Sequence, residues 1–182
     1  RAYYEAWKRG ASGFVGLLGE MPIDGCELYV PYDGFLKKTP AAWVGREHAD
    51  AVRSAATDGE PFQFNSTGEG CTVDSHNVVG ILPGRTDEYI LLTCHHDAPF
   101  ASAVEDGSGL SVLLALAEAF AQSGEPLERG LIFLASSGHF HGGIGCREFV
   151  AKHKGELLEK IVAAIGIEHI AADYIGNGTQ AA

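Results

Sequence analysis

The clearest pattern in this chain is a helical stripe of apolar side chains over residues 108–122. The apolar positions recur at the i, i+3, i+4, i+7 spacing of a helix that is buried on one broad side. They are Leu110, Val112, Leu113, Leu114, Leu116, Ala117 and Phe120. This segment is therefore predicted to be an amphipathic helix that packs on a sheet.

Short apolar runs on both sides of this helix predict strands. Those that bear on the fold are residues 78–82, 88–93, 131–135 and 162–167, and weaker runs at 62–64 and 71–73 also read as strands. Further helices are predicted at 146–153 and 157–161. Strands that alternate with helices normally form a parallel sheet. The predicted fold is therefore α/β, with a mixed, centrally parallel sheet flanked by helices.

The first 60 residues form a different pattern. Helices are predicted at 2–9 and 46–56, and short strands at 14–18 and 42–44, which together make a small α+β segment. The polar, turn-forming stretch 57–61 follows it, with sequence Thr-Asp-Gly-Glu-Pro. We therefore predict two domains, residues 1–60 and residues 61–182.

Composition and charge narrow the possible functions. A hydrophobic content of 46% is enough for a substantial core. A net charge of −11 with only 13 Lys and Arg argues against a nucleic-acid partner, which would need a basic face. No run of 18 apolar residues occurs, so no membrane span is expected.

Three of the predicted strands lead directly into residues of the types that commonly bind metals. Cys94-His95-His96-Asp97 follows the second strand of the series, Gly138-His139-Phe140-His141 follows the third, and Glu168-His169 follows the last. Ligands of such sheets bind beyond the carboxyl ends of the strands. Imidazoles and carboxylates are therefore expected at one edge, which favours a metal-dependent enzyme.

Residues 76–170 resemble the co-catalytic zinc aminopeptidase family, which includes bacterial leucyl aminopeptidases and the glutamate carboxypeptidase group. The resemblance rests on His95-His96-Asp97, on Glu105-Asp106-Gly107-Ser108-Gly109 at a helix start, on the glycine-rich stretch 138–145, and on Glu168. It implies that His95, Asp106 and Glu168 bind zinc, with Asp106 as the bridging ligand and Asp97 orienting His95. Residues 1–56 more loosely resemble a protease-associated domain.

The chain departs from the family where a Glu-Glu pair, general base then ligand, is expected. His139-Phe140 stands there or, with a shift of one residue, Phe140-His141. We therefore expect His141 to replace the lost ligand and His139 to act as proton acceptor. The family's last ligand is a histidine further downstream, whereas this sequence ends at Ala182. One zinc ion is expected to bind well and a second weakly, and this chain alone is expected to have little activity.

Other interpretations remain open for each of these residues. Asp106, with Ser108, is also placed to cap a helix. Glu168 and His169 are also consistent with a surface ion pair, and His139 and His141 with ordinary loop histidines. The predicted function is hydrolysis of terminal peptide or related amide bonds by a metal-activated water. The alternative is a non-catalytic relative that acts as a binding or scaffold module.

Overall fold

The computed structural model describes residues 2–17, 37–63, 65, 67–98 and 102–170. Contacts within the chain divide it into two units, with the division between Thr72 and Val73. The predicted domains, residues 1–60 and 61–182, place their boundary further upstream and stay a prediction. Each unit is described by itself.

The first unit is a small α+β structure, as its pattern predicted. Its elements are α1 (Ala2–Lys8), β1 (Phe14–Leu17), β2 (Ala41–Val44) and α2 (Arg46–Thr57). The two strands pair in parallel, with Phe14 opposite Ala41. Tyr3 is buried beside Phe14, with ring centroids 5.5 Å apart, and its hydroxyl donates to the carbonyl of Thr39 at 2.6 Å. Aromatic packing therefore holds this unit together.

The second unit is built on a four-stranded sheet with the order β3-β5-β4-β6. Its strands are β3 (Val78–Leu82), β4 (Tyr89–His95), β5 (Gly130–Ser136) and β6 (Ile161–Gly166). β4 pairs in parallel with β5 and with β6, whereas β3 runs antiparallel to β5. The predicted mixed, centrally parallel sheet is confirmed.

Helices cover the two faces of this sheet. α3 (Gly109–Gln122) packs on the face that carries Leu131 and Phe133, and α4 (Ile144–His153) places Phe149 against Ile132 on the other face. Every residue of β5 is buried, and its alternate side chains point to opposite faces. β5 is therefore the centre of the core.

The structure corrects three details of the sequence prediction. Leu114, assigned to the apolar stripe of α3, is 61% exposed. The predicted strands at 62–64 and 71–73 are not formed among the described residues of those runs, and the predicted helix at 157–161 is a single 3-10 turn, Leu158–Lys160. β-propensity reflects packing against neighbouring strands, and the described residues of these runs are exposed and pair with no strand.

Among the described residues, no helix has the length and apolar character needed to cross a bilayer.

Candidate metal centre

The carboxyl ends of the parallel strands lie at one edge of the sheet, because the strands pair in register. His95 ends β4 opposite Ser136, the last residue of β5. Thr93 pairs with Gly166, the last residue of β6, and the N–H of Ile167 donates to the carbonyl of Thr93 at 2.8 Å. Residues that follow each strand are thereby brought to the same place.

Four side chains converge at this edge. His95, Glu105, His139 and Glu168 each present a ligand atom, and these four atoms lie within 4.8 Å of one another. They come from the end of β4, the turn before α3, the turn after β5 and the segment after β6. Two imidazoles and two carboxylates are ligands that zinc accepts.

The ring of His95 is held in one orientation. Its Nδ1 lies 2.7 Å from the carbonyl oxygen of Asp97, and the Asp97 carboxylate lies 3.8 Å from the same nitrogen. A carbonyl only accepts, so Nδ1 carries the hydrogen, and in the neutral ring Nε2 then has the free lone pair. The Asp97 carboxylate also accepts the N–H of His139 at 3.2 Å. Asp97 therefore holds the His95 ring through its backbone carbonyl, and the orienting role of its carboxylate, which the resemblance implied, stays a prediction.

The Nε2 atom of His95 is the least expected feature of the site. His95 is only 4% exposed, and Nε2 is buried without a hydrogen-bond partner among the described residues. Glu168 Oε1 lies 3.4 Å from it and Asp106 Oδ2 lies 3.9 Å from it. A buried acceptor that faces carboxylates is unfavourable unless a cation lies between them. The residues present therefore fit a bound metal ion.

His139 reaches the group because of the turn that carries it. Gly138 and Gly142 flank the short 3-10 turn His139–His141, and both adopt left-handed backbone angles, with φ of 65° and 75°. Such angles suit glycine, which has no Cβ. The rings of His139 and His95 stack with centroids 4.0 Å apart at 12°, and Phe140 lies edge-on to both.

Glu105 joins the group, whereas its neighbour Asp106 turns into the protein. Asp106 is 2% exposed, and its carboxylate accepts the N–H of His95 at 3.3 Å and the N–H of Gly109 at 3.2 Å. It therefore ties the start of α3 to the end of β4. The resemblance implied Asp106 as the bridging ligand, but the converging atoms include Glu105 instead. The sequence contained the signal, because Glu105 precedes Asp106 in the same string.

Two further histidines lie outside the group. His141 is exposed and is not among the converging ligand atoms. His96 is exposed, and its Nε2 lies 2.8 Å from the carbonyl oxygen of His76. It does point away from the group, since neighbouring side chains of an extended segment leave on opposite sides.

Beneath the site, Cys94 is buried in the core cluster that faces α3. Burial, and then the negative charge of Asp106, raise the pKa of the Cys94 thiol to about 11. This cysteine is therefore a protonated, apolar core residue at neutral pH.

Comparison with known proteins decides the family. Residues 77–178, more than half of the chain, match the model of Peptidase family M28. The chain belongs to this family. The matched segment covers β3 to β6 and all four converging side chains.

Individual relatives agree with this assignment. The chain is 28% identical over 180 residues to a glutamate carboxypeptidase 2 homolog of Caenorhabditis elegans, covering 93% of this chain and 23% of that protein. It is 24% identical over 172 residues to a probable glutamate carboxypeptidase of Arabidopsis thaliana, covering 82% of this chain and 25% of that protein. The chain thus spans about a quarter of the length of these relatives.

Two solved structures share the fold. A peptidase M28 precursor from Shewanella amazonensis SB2B superposes with a TM-score of 0.65 at 21% identity, over 86% of this chain and 37% of that one. An aminopeptidase from Aneurinibacillus sp. strain AM-1 superposes with a TM-score of 0.57 at 19% identity, over 94% of this chain and 43% of that one.

Proposed function

We propose that this chain carries the metal centre of a metal-dependent exopeptidase that hydrolyses terminal peptide or related amide bonds. Membership of the M28 peptidase family supports this proposal, as do relatives named as a carboxypeptidase and an aminopeptidase. The observation that carries it is the buried Nε2 of His95, which has no hydrogen-bond partner among the described residues and faces the carboxylate of Glu168.

In this proposal His95, Glu105, His139 and Glu168 hold one zinc ion. Their ligand atoms lie close together, and the set differs from the one implied by the family resemblance in using Glu105 and His139. An imidazole that binds a metal has no lone pair left for a proton, so His139 is proposed as a ligand rather than as the proton acceptor. That Asp106 and His141 bind the metal stays a prediction, and neither contributes one of the four converging ligand atoms.

A bound zinc ion supplies Lewis acidity, which polarises a carbonyl group and activates water. The chain's own residues prepare the place for it. Asp97 fixes the ring of His95 through Nδ1, so that Nε2 faces the group. Phe140 packs edge-on against both imidazoles and helps to hold them in place. The side chain of Glu168 is half-exposed, so solvent reaches the group from this side.

A non-catalytic relative that binds a metal or a peptide is the second candidate. One feature favours it: His139-Phe140 stands where the family resemblance leads us to expect a Glu-Glu pair. A carboxylate base commonly contributes 10²–10⁴-fold to such reactions, so its replacement would slow hydrolysis strongly.

Zinc binding and hydrolysis by the purified chain test the proposal together. Zinc content would be measured after dialysis, and turnover with leucyl p-nitroanilide and with peptides that end in glutamate. The proposal expects bound zinc and a slow turnover that is lost on chelation and in His95→Ala, but not in His48→Ala. His48 is a matched control, because it is exposed and lies 3.3 Å from Glu47. Zinc binding without turnover would favour the non-catalytic candidate, and absence of zinc binding would refute the metal centre.

A further inference from the structure

His169 follows Glu168 directly and has an unusual backbone conformation. Its φ is 53°, and it is the only residue other than glycine with a positive φ in the described part of the chain. Side chains with a Cβ adopt this region at a cost, and such residues concentrate at functional sites. The same residue carries an imidazole that lies close to the carboxylates of Glu105 and Glu168.

The distances around this imidazole are informative. His169 Nε2 lies 3.4 Å from Glu105 Oε2 and 4.0 Å from Glu168 Oε1. A charge-assisted hydrogen bond between an imidazole and a carboxylate would be shorter, about 2.7–2.9 Å. Two neighbouring ligands of one zinc, each bound at about 2.0–2.1 Å, lie about 2.9–3.6 Å apart when the ion is four- or five-coordinate.

The same spacing occurs on the buried side of the group, where His95 Nε2 lies 3.4 Å from Glu168 Oε1. Each carboxylate of the group thus has an imidazole nitrogen at this separation. The exposed pair His48–Glu47 shows it too, at 3.3 Å, so the inference rests on the convergence of these side chains at one edge of the sheet and not on the distance alone. The two sides differ in exposure, because the side chain of His95 is 4% exposed and that of His169 is 43% exposed. An inner and an outer imidazole thus flank the carboxylates.

We propose that His169, whose Nε2 lies outside the group of four converging atoms, turns toward that group when the ion binds and becomes a fifth protein ligand on its exposed side. This inference rests on the proposed function, because it requires that the centre binds an ion. His169 would give the centre a third imidazole beside those of His95 and His139. Imidazole ligands favour zinc and neighbouring transition metals over magnesium and calcium. His169 would therefore raise both the affinity for zinc and the selectivity against magnesium.

The test is a comparison of zinc affinity and of the number of bound imidazoles. His169→Asn is the informative variant, since asparagine tolerates a left-handed backbone and removes only the imidazole. Zinc affinity would be measured by competition with a chromogenic chelator, and imidazoles would be counted by X-ray absorption on the zinc-loaded chain. Circular dichroism would check that each variant is folded, and His169→Gln provides a second variant.

We expect His169→Asn and His169→Gln to weaken zinc binding by about 10–100-fold or more and to lower the imidazole count by one. His48→Ala, which removes an exposed imidazole 3.3 Å from a carboxylate, should change neither. Wild-type affinity and an unchanged imidazole count in both His169 variants would overturn the inference and leave the metal centre standing. Absence of zinc binding by the wild-type chain, or full binding by His95→Ala, would overturn the proposed metal centre and the inference with it.

Discussion

Asn77 holds both ends of the turn that carries His139, so its side chain makes a sharp prediction. Its amide nitrogen donates to the carbonyl of Gly145 at 2.7 Å, and its amide oxygen accepts the N–H of Ser137 at 3.0 Å. The N–H of Gly145 also donates to the carbonyl of Ser137 at 2.9 Å. The perturbation is Asn77→Ala, which removes two hydrogen bonds and leaves the third.

The magnitude follows from the two groups that lose their partner. Ser137 and Gly145 are both buried, and an unsatisfied buried donor or acceptor costs about 1–3 kcal/mol. Asn77 itself is only partly buried, so water replaces some of the loss, and about 1 kcal/mol per group is appropriate. The free energy of unfolding should fall by about 2 kcal/mol, which corresponds to a Tm lower by about 8–16 °C for a unit of about 100 residues.

The assay is thermal and urea unfolding of the wild-type chain, Asn77→Ala, Asn77→Asp and Asn65→Ala. Asn77→Asp keeps an acceptor for Ser137 but places a carboxylate against the carbonyl of Gly145, so a comparable loss is expected. Asn65 is exposed, and its truncation should change stability by less than about 0.5 kcal/mol. Zinc affinity should also fall in both Asn77 variants, since the turn positions His139. Melting of Asn77→Ala within about 2 °C of the wild type, with unchanged zinc affinity, would refute this reasoning.

Four further predictions concern packing at Gly109, the reactivity of the cysteines, the pH dependence of stability and the effect of zinc. Gly109→Ala should destabilise the fold by about 1–3 kcal/mol in urea unfolding, because a Cβ there would overlap Asp106 Oδ1 and the carbonyl oxygen of Ile167. Gly166→Ala is the control and should be tolerated, because a Cβ there meets nothing within 4 Å. Iodoacetamide at pH 8 should modify the exposed Cys71 and Cys146 but not the buried Cys94, as peptide mass spectrometry would show. Burial raises the pKa of Cys94 to about 11, so the thiol ionises at a lower pH in the unfolded chain than in the folded one. The free energy of unfolding should therefore fall more steeply between pH 9 and 11 in the wild type than in Cys94→Ala. Zinc at about 100 times its Kd should stabilise the chain by about 2.7 kcal/mol and EDTA should reverse this; equal Tm values with and without zinc would contradict a metal centre.

The sequence determined the sheet and the place of the site. The continuous apolar run of β5 and the apolar stripe of α3 are visible in the sequence, and both elements are found with small shifts of their ends. Since the strands are parallel, the residues after each strand must meet at one edge. His95, His139 and Glu168 were expected there, and the structure brings their ligand atoms together.

Only the tertiary structure decided which of two adjacent residues faces the centre. Glu105 and Asp106 are both acidic, and His139 and His141 lie in one short turn, so composition and spacing do not distinguish them. The backbone does: Glu105 and Asp106 have non-helical angles just before α3, and these send the Asp106 carboxylate inward to two backbone N–H groups.

The strand predictions at 62–64 and 71–73 failed for a related reason. Periodicity records which side chains suit a strand, but a strand exists only where a neighbouring strand satisfies its backbone. The described residues of those runs are exposed, whereas residues 131–135 lie between β3 and β4 and are fully buried. Local sequence therefore determined the types of element and the edge at which ligands gather. Long-range packing decided which strands form and which side chains converge at that edge, because both depend on residues far away in the chain.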